Sequence, residues 1–592
     1  MLARAAMAPG YARHNWMFAW MFAHLGGKSC CRGSVLRASQ PDAGLADAAR
    51  GEAQGGARSV LRDGLRTWQA LLVALAGGLG LAAAFPPLGI WPLAVVGPAL
   101  LAVALWQRSL RGSFLVGLIF GLAYFVPLLS WVVNVAWYAW AGLAGADTVL
   151  FAVLTLGQRL LLRLRPWPLA VGVWWVAAES LRDRWPFGGF PWGRLAMSQA
   201  GAPTVNWVAV GGPYLLTFLL ALTGACLAWL ILGSTGGAVA GRAVTSRAVT
   251  SRAALRRRAV PLAGLIVAAG VAVAGALLPV DGGAPGTPTA EVAAIQGNVP
   301  HARNLPDLLR EDTVTTNHAD VTLRLASRIQ AGHEPAPNLV IWPENSTDQD
   351  PRLNPFIYSL ISNAVNRIDR PVLVGAVLQN PVRNAGLLWL PHHGPAGAYI
   401  KRQLVPFGEV IPFRSLLDTF TSLPSLQPVN FTPGHKAVVF HIGKIRLGDV
   451  ICYEVGFDGL VSSEVAAGAN LLTVQTNDAD FELDGQTGET LQQLAMARVR
   501  AVEHDRAVVV ASTTGVSAII APNGNLLART TLWRPASVEA RVPLRTVTTL
   551  ADRLGGWPEV ILTGSAIAAL AWVIGGVLTG AALARRRRTA AE

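Results

Sequence analysis

Charge is what this chain has least of. Of 592 residues only 14% are Asp, Glu, Lys or Arg, against 52% apolar, where a soluble protein carries about a quarter charged side chains. The deficit excludes a wholly soluble fold and points to membrane segments. Lysine is nearly absent: Lys28, Lys401, Lys436 and Lys444 are the four copies in a chain that otherwise uses arginine. Cysteine is as rare, with Cys30 and Cys31 adjacent, Cys226 in an apolar run and Cys452 alone in the polar part. No Cys-x-x-Cys pair, Cys/His ligand spacing or His-Glu-x-x-His sequence occurs. That removes a disulfide framework and a zinc site, and neither a metal nor a cofactor is expected. The net charge of +14 would suit a nucleic-acid binder, but its distribution does not. Residues 291–550 carry 21 basic and 24 acidic side chains, and the rest of the chain carries 28 and 11. The positive charge therefore sits in short Arg clusters between apolar stretches, as topology signals do, and nucleic acid is not expected as a partner.

What is there in place of charge is a series of apolar runs. Seven precede the polar segment, at about 68–84, 88–106, 113–132, 145–162, 167–181, 206–233 and 260–280, and an eighth lies at about 559–584. Several approach the ~20 residues that cross a hydrocarbon core of about 30 Å. Arg62 and Arg66, Arg108 and Arg111, Arg159 to Arg165, Arg242 to Arg258, and Arg585 to Arg588 flank alternate ends of these runs. Eight spans place all five clusters on the cytoplasmic side and the polar segment outside. The expected organisation is a disordered or misassigned extension over 1–58, seven transmembrane helices over 59–284, an extracytoplasmic catalytic domain over 285–555, and an eighth helix with a basic cytoplasmic tail over 556–592. The repeat RAVTSRAVTS at 242–251 reads as low-complexity loop.

The polar segment alternates strand and helix patterns. Strands are expected at Ala290–Ile295, Asn338–Trp342, Val372–Val377, Ala385–Leu390, Ala437–Ile442, Ile445–Ile451, Asn470–Val474, Ala507–Ser512 and Ser517–Ala521. Helices are expected at about 305–331, 354–367, 456–467 and 488–504, and Asn523–Gly524 marks a hairpin. Strands buried between helical layers make an α/β sandwich.

Three residues of this segment carry chemistry together. Cys452 follows an apolar strand and precedes a helix pattern, a corner where the helix dipole lowers a thiol's pKa; alone, it reads more readily as a buried structural cysteine. Glu344 ends the run Leu339–Val340–Ile341–Trp342–Pro343, at a sheet rim; alone, it reads as a helix cap. Lys401, in a chain that favours arginine, offers a compact ammonium for an oxyanion; alone, it reads as a surface lysine. A thiol nucleophile needs a base and a cation, and the set supplies both.

The segments LVIWPENS, YIKRQLVPFGEVIP, GDVICYE and TNDADF resemble the signatures of the nitrilase (carbon–nitrogen hydrolase) superfamily. LVPFGE with spans on both sides resembles its membrane branch, the apolipoprotein N-acyltransferase family. The resemblance covers residues 68–584. It implies a multi-span α-helical membrane domain of eight transmembrane helices carrying a nitrilase-like αββα sandwich, with Glu344 as base, Lys401 as oxyanion partner and Cys452 as nucleophile. It also implies supporting roles for Glu409, Tyr453 and Glu454, a strand motif at Gln296–Gly297–Asn298 and Pro300, and an outward membrane loop with Phe190–Pro191–Trp192 and Ser198–Gln199. Two positions depart from the family: Leu305 stands where a tryptophan is frequent, and Asn477–Asp478–Ala479–Asp480–Phe481–Glu482 replaces NDAWFG. Both bear on substrate contacts and lid packing.

The resemblance further implies a monomer in the plasma membrane that passes an acyl chain from a phospholipid, through a Cys452 thioester, to the α-amine of a diacylglyceryl-cysteine apolipoprotein. A backbone amide near Tyr453 would be a second oxyanion donor. Residues 411–433, with Phe413, Leu416, Leu417, Phe420, Leu423, Leu426 and Phe431, are expected to form an arm that dips into the interface. Trp131, Trp137, Trp140, Trp185 and Trp192 are expected to form an interfacial belt. Two other functions fit parts of the chain: a membrane-tethered amidase, and a non-catalytic scaffold for a membrane glycosyltransferase.

Overall fold

The computed structural model describes residues 64–235, 266, 269–280, 286–300, 307–420, 427–481 and 487–590. All lie in one unit spanning Ala57–Glu592. The 1–58 extension, the 242–251 repeat, Leu305, Leu423, Leu426 and Glu482 lie outside the described residues.

Every apolar run contains helix where it is described, although residues 88–92 and 278–280 are turn or irregular. Among the described residues four helices are long and apolar enough to cross a membrane, at Leu110–Leu128, Trp137–Leu161, Pro203–Leu232 and Trp557–Leu583. Thr67–Ala83 and Leu93–Leu105 are apolar but shorter, at 17 and 13 residues. At 1.5 Å per residue a 13-residue helix rises only about 20 Å. The helices approach closely because small residues line their contacts, as association between helices in lipid requires. A Cβ on Gly78 would strike Phe120, and one on Gly117 would strike Thr155 and come within 2.8 Å of Ala152 Cα. The Trp557–Thr589 helix turns large apolar groups outward, with Trp572 78% and Leu578 65% exposed, as a lipid-facing surface does.

The polar segment folds into two six-stranded sheets packed face to face between helices. In chain order the strands are β1 (Thr289–Gln296), β2 (Leu339–Ile341), β3 (Val372–Leu378), β4 (Arg383–Leu390), β5 (Gly394–Ile400), β6 (Val439–Ile442), β7 (Ile445–Ile451), β8 (Leu471–Thr476), β9 (Ala507–Ser512), β10 (Ala518–Ile520), β11 (Leu526–Arg529) and β12 (Ala536–Pro543). One sheet has the order β12-β1-β2-β3-β4-β5 and the other β11-β10-β9-β8-β7-β6. Val292, Ala294, Ile341 and Leu373 of the first sheet meet Leu447, Leu471, Val509 and Ile519 of the second in a dry layer. Helices Asp307–Gln330 and Pro355–Ile368 cover the first sheet through Leu325, Ile357 and Ile361. Asp458–Ala466 and Gly488–His504 cover the second, and the core beneath them runs on without a break into the membrane helices, from Val510, Leu494 and Val499 to Trp131, Trp192 and Leu195. The expected αββα sandwich is thus present.

β5, β11 and β12 were not expected as strands. GPAGAYI lacks a β-branched run, LLAR is four residues long, and ASVEARVP is a half-buried edge strand without clean alternation. Tertiary pairing overrides weak local preference in all three.

Candidate active site

β1, β2 and β3 are parallel, β4 is antiparallel to β3, and β5 is antiparallel to β4, so β2 and β5 end at the same edge. β7, β8 and β9 are parallel in the facing sheet. Carboxyl ends of strands are where open α/β sheets gather function. Glu344 lies three residues beyond β2, Lys401 immediately after β5, Cys452 immediately after β7 and Asn477 immediately after β8. Glu344, Lys401, Glu409, Cys452 and Asn477 line one cavity of about 370 Å³.

The charged centre is a closed square. Lys401 Nζ donates to Glu344 Oε1 at 2.8 Å and to Glu409 Oε1 at 3.0 Å. Asn384 Nδ2 donates to the same two oxygens at 2.7 and 2.8 Å. The outer oxygens are held by backbone: Glu344 Oε2 accepts from Asn477 N at 3.0 Å, and Glu409 Oε2 from Val405 N at 2.8 Å. Lys401 is 1% exposed. Burial opposes its charge, but Glu344, Glu409 and Cys452 more than offset that and hold its pKa well above the ordinary lysine value. An ammonium fixed in this way is a permanent positive point beside the thiol.

Cys452 is 8% exposed and adopts φ +52°, a left-handed conformation forced on a non-glycine residue. Such strain gathers at functional sites. The turn Cys452–Gly456 follows directly and leads into the helix Asp458–Ala466. The lowered thiol pKa expected from the helix dipole is corrected here. Burial pushes the thiol well above its ordinary value, the Glu344 charge adds to this, and Lys401 offsets it only in part. These influences favour the protonated thiol over the thiolate.

Glu454 and Tyr453 are structural partners of this corner. Glu454 Oε2 accepts from Ile451 N at 2.8 Å and Tyr399 Oη at 2.9 Å, and its Oε1 accepts from Arg402 N at 2.6 Å and Gln403 N at 3.0 Å. One carboxylate thus ties the chain just past Lys401 to the end of the cysteine's strand. Burial raises its pKa, with the backbone donors acting against that. Tyr453 donates to Gly189 O at 2.6 Å and stacks on Trp192 with ring centroids 5.6 Å apart.

Gln296 receives Ser517 and Thr530 hydroxyls and donates to Thr531 O, while Asn298 donates to Trp533 O, so this motif anchors the 530–534 loop. Asp480 lines the cavity. Phe413 and Leu416 of the expected arm are 70% and 58% exposed, and Phe431 lines the cavity. Trp137 and Trp185 are exposed, but Trp131 and Trp192 are buried against each other at 6.2 Å and are not part of a belt. Sequence reading missed Asn384, a polar residue opening an apolar strand, and the Arg194, Asp458 and Arg500 cluster beneath the cysteine's turn.

Two family models match the chain: the apolipoprotein N-acyltransferase N-terminal domain over residues 77–226 and carbon-nitrogen hydrolase over residues 292–552. An apolipoprotein N-acyltransferase of Mycolicibacterium smegmatis is 36% identical over 515 residues, 84% of each chain. One from Azotobacter vinelandii is 28% identical over 542 residues, covering 86% of this chain and 95% of its own. Among solved structures, a variant of an amidase of the nitrilase superfamily from Nesterenkonia AN1 is 17% identical, covers 43% of this chain and 90% of its own, and gives a TM-score of 0.33.

Proposed function

This chain belongs to the apolipoprotein N-acyltransferase family, and from that membership we propose the route it takes. It is a membrane acyltransferase of lipoprotein maturation, with lipid and lipoprotein substrates. In the proposed route Glu344 removes the Sγ proton of Cys452, and the thiolate attacks an ester carbonyl of a phospholipid. Lys401 and a backbone amide near Tyr453 stabilise the oxyanion. The ester C–O bond breaks, the lysophospholipid leaves with the proton held by Glu344, and a thioester remains. The α-amine of a diacylglyceryl-cysteine then attacks that carbonyl. The C–N bond forms, the C–S bond breaks, and Glu344 accepts the amine proton and passes it to the departing sulfur, which restores both thiol and carboxylate.

The observation that carries this reading is the convergence of base, ammonium and thiol on one cavity, with the ammonium 2.8 Å from the base. A buried neutral thiol next to a carboxylate suits a cycle in which the sulfur is nucleophilic only while substrate is present. Both substrates are lipids, and drawing a chain from the bilayer costs about 0.8 kcal/mol per CH₂, so an active site held at the membrane avoids that expense. We read all eight apolar runs as spans, the shorter helices included, with the sandwich outside the cytoplasmic membrane and the protein acting as a monomer. Phe413 and Leu416, exposed in the chain between the cavity's Gly408 and Phe431, support an arm reaching the interface.

The test compares wild type with Cys452→Ala, using phospholipid and a diacylglyceryl-cysteine peptide. Loss of N-acylation supports the reading. Loss of small-amide hydrolysis alone favours a tethered amidase, and no loss of any enzymatic activity favours a scaffold.

A further inference from the structure

The turn that carries Cys452 is gripped from the membrane domain, not from the sandwich alone. Arg194, 1% exposed, donates to both oxygens of Asp458 at 2.8 and 2.9 Å and to Gly456 O at 3.4 Å. Arg500 donates to Val455 O at 2.9 Å, Gly456 O at 3.1 Å and Asp458 Oδ1 at 2.5 Å. Every carbonyl these guanidiniums reach belongs to the turn Cys452–Gly456. Burial works against the Asp458 charge, but the two arginines more than offset it and hold that carboxyl well below the usual range.

The loop that presents Arg194 is itself fixed by the membrane helices. Arg182 donates to Phe190 O at 3.3 Å and to Trp192 O, and Tyr124 donates to Gly193 O. Gly193 has φ +75°, and a Cβ there would meet Tyr124 Oη at 2.7 Å, so only glycine fits. Two further contacts close the interface. Tyr453 Oη donates to Gly189 O at 2.6 Å. Pro191 lies so near Gly456 that a Cβ on that glycine would come 2.5 Å from Pro191 Cγ and 3.3 Å from Pro191 Cβ.

We propose that the membrane-domain loop Gly189–Arg194 sets the reactive geometry of Cys452 by clamping the turn that follows it, with Arg194 as a positioning residue that touches no reacting atom. The strained φ of Cys452 is the conformation the clamp holds: with Val455 O and Gly456 O pinned by cations from below and Tyr453 drawn to Gly189, the turn has no slack into which the sulfur's backbone could relax. Membrane embedding then governs nucleophile geometry as well as access to lipid. The inference rests on Cys452 being the nucleophile.

The test uses full-length enzyme in nanodiscs and three variants. Gly456→Ala drives a methyl against Pro191, and Pro191→Ala in the same chain removes Cγ and leaves room for it. Arg194→Lys keeps the charge and loses the paired donors. Iodoacetamide alkylation and acyl-adduct formation from phosphatidylethanolamine are read on the Cys452 peptide, per folded molecule, across pH. The expected result is a fall of roughly tenfold to a hundredfold for Gly456→Ala, recovery in the double variant, and an altered pH midpoint for Arg194→Lys. Unchanged rates per folded molecule, or variants that lose only folded yield, overturn the proposal and leave a structural contact. Should wild type form no acyl adduct while alkylation still follows the loop, the reading of Cys452 as acyl carrier fails and its geometric control stands.

Discussion

Lys401 and Glu344 form a buried pair at 2.8 Å, and both belong to a square completed by Glu409 and Asn384. Two carboxylates share one ammonium and one amide, so losing the ammonium leaves two buried carboxylates without a cation. Breaking such a pair costs about 3–5 kcal/mol, largely through the group left behind. Lys401→Met is expected to lower thioester formation by about 10²–10³-fold and to reduce thermal stability. Stopped-flow release of lysophospholipid and a melting curve check the two effects separately. Normal turnover in the variant would mean that the ammonium has no part in the chemistry.

Asn384→Leu preserves bulk and deletes the amide bridge. Hydrogen bonds to charged groups contribute about 1.5–3 kcal/mol, equivalent to roughly a tenfold to hundredfold rate change. The loss should appear in kcat rather than KM, because Asn384 orders the base and not the lipid. A pure KM effect would reassign it to substrate binding.

The raised pKa of Cys452 gives a pH prediction. The thiol is neutral when protonated, so a raised value means little thiolate at pH 7 to 9. Alkylation of Cys452 should climb about tenfold per pH unit across that range. Its burial stabilises the fold fully below the unfolded thiol's pKa, and that contribution is lost as pH rises through the folded one. Glu344→Gln removes a charge that opposes the thiolate, so the alkylation midpoint should fall while acyl transfer stops. A midpoint that stays put or rises would contradict the electrostatic account.

The membrane domain offers a packing test. Gly117→Val would force a branched side chain against Thr155 and the Ala152 backbone, and overpacking costs about 1–3 kcal/mol. The variant should melt earlier in nanodiscs yet turn over normally when folded. An unchanged melting point would show that the two helices have room to separate.

For the arm, Leu416→Trp places an indole at an exposed apolar position. Bromine-labelled lipid should quench it and aqueous iodide should not. The reverse pattern would place the arm in water.

Much of this was legible before any coordinates. The helices appear as apolar runs because lipid demands it, and Glu344, Lys401 and Cys452 stand out only as a set, a thiol with a base and a cation in nitrilase-like segments. Asn384 did not, since an asparagine at the start of a strand reads as a turn residue until the facing carboxylates are in place. Arg194, Asp458 and Arg500 lie far apart in the chain, and only the packing of the 189–194 loop under the turn that carries Cys452 makes them one cluster. The thiol's raised pKa has a related cause: the dipole of a helix can be read from sequence order, whereas the burial that outweighs it comes from the two sheets packed together.

The central claim is that sulfur at position 452 carries the acyl chain. Intact-mass and peptide mass spectrometry of enzyme incubated with phospholipid, with no acceptor peptide, tests it most directly. The account predicts an acyl adduct on the Cys452 peptide that is discharged when a diacylglyceryl-cysteine peptide is added and is missing in Cys452→Ala. Acceptor acylation that proceeds with no adduct at that residue, or that survives the substitution, would contradict it.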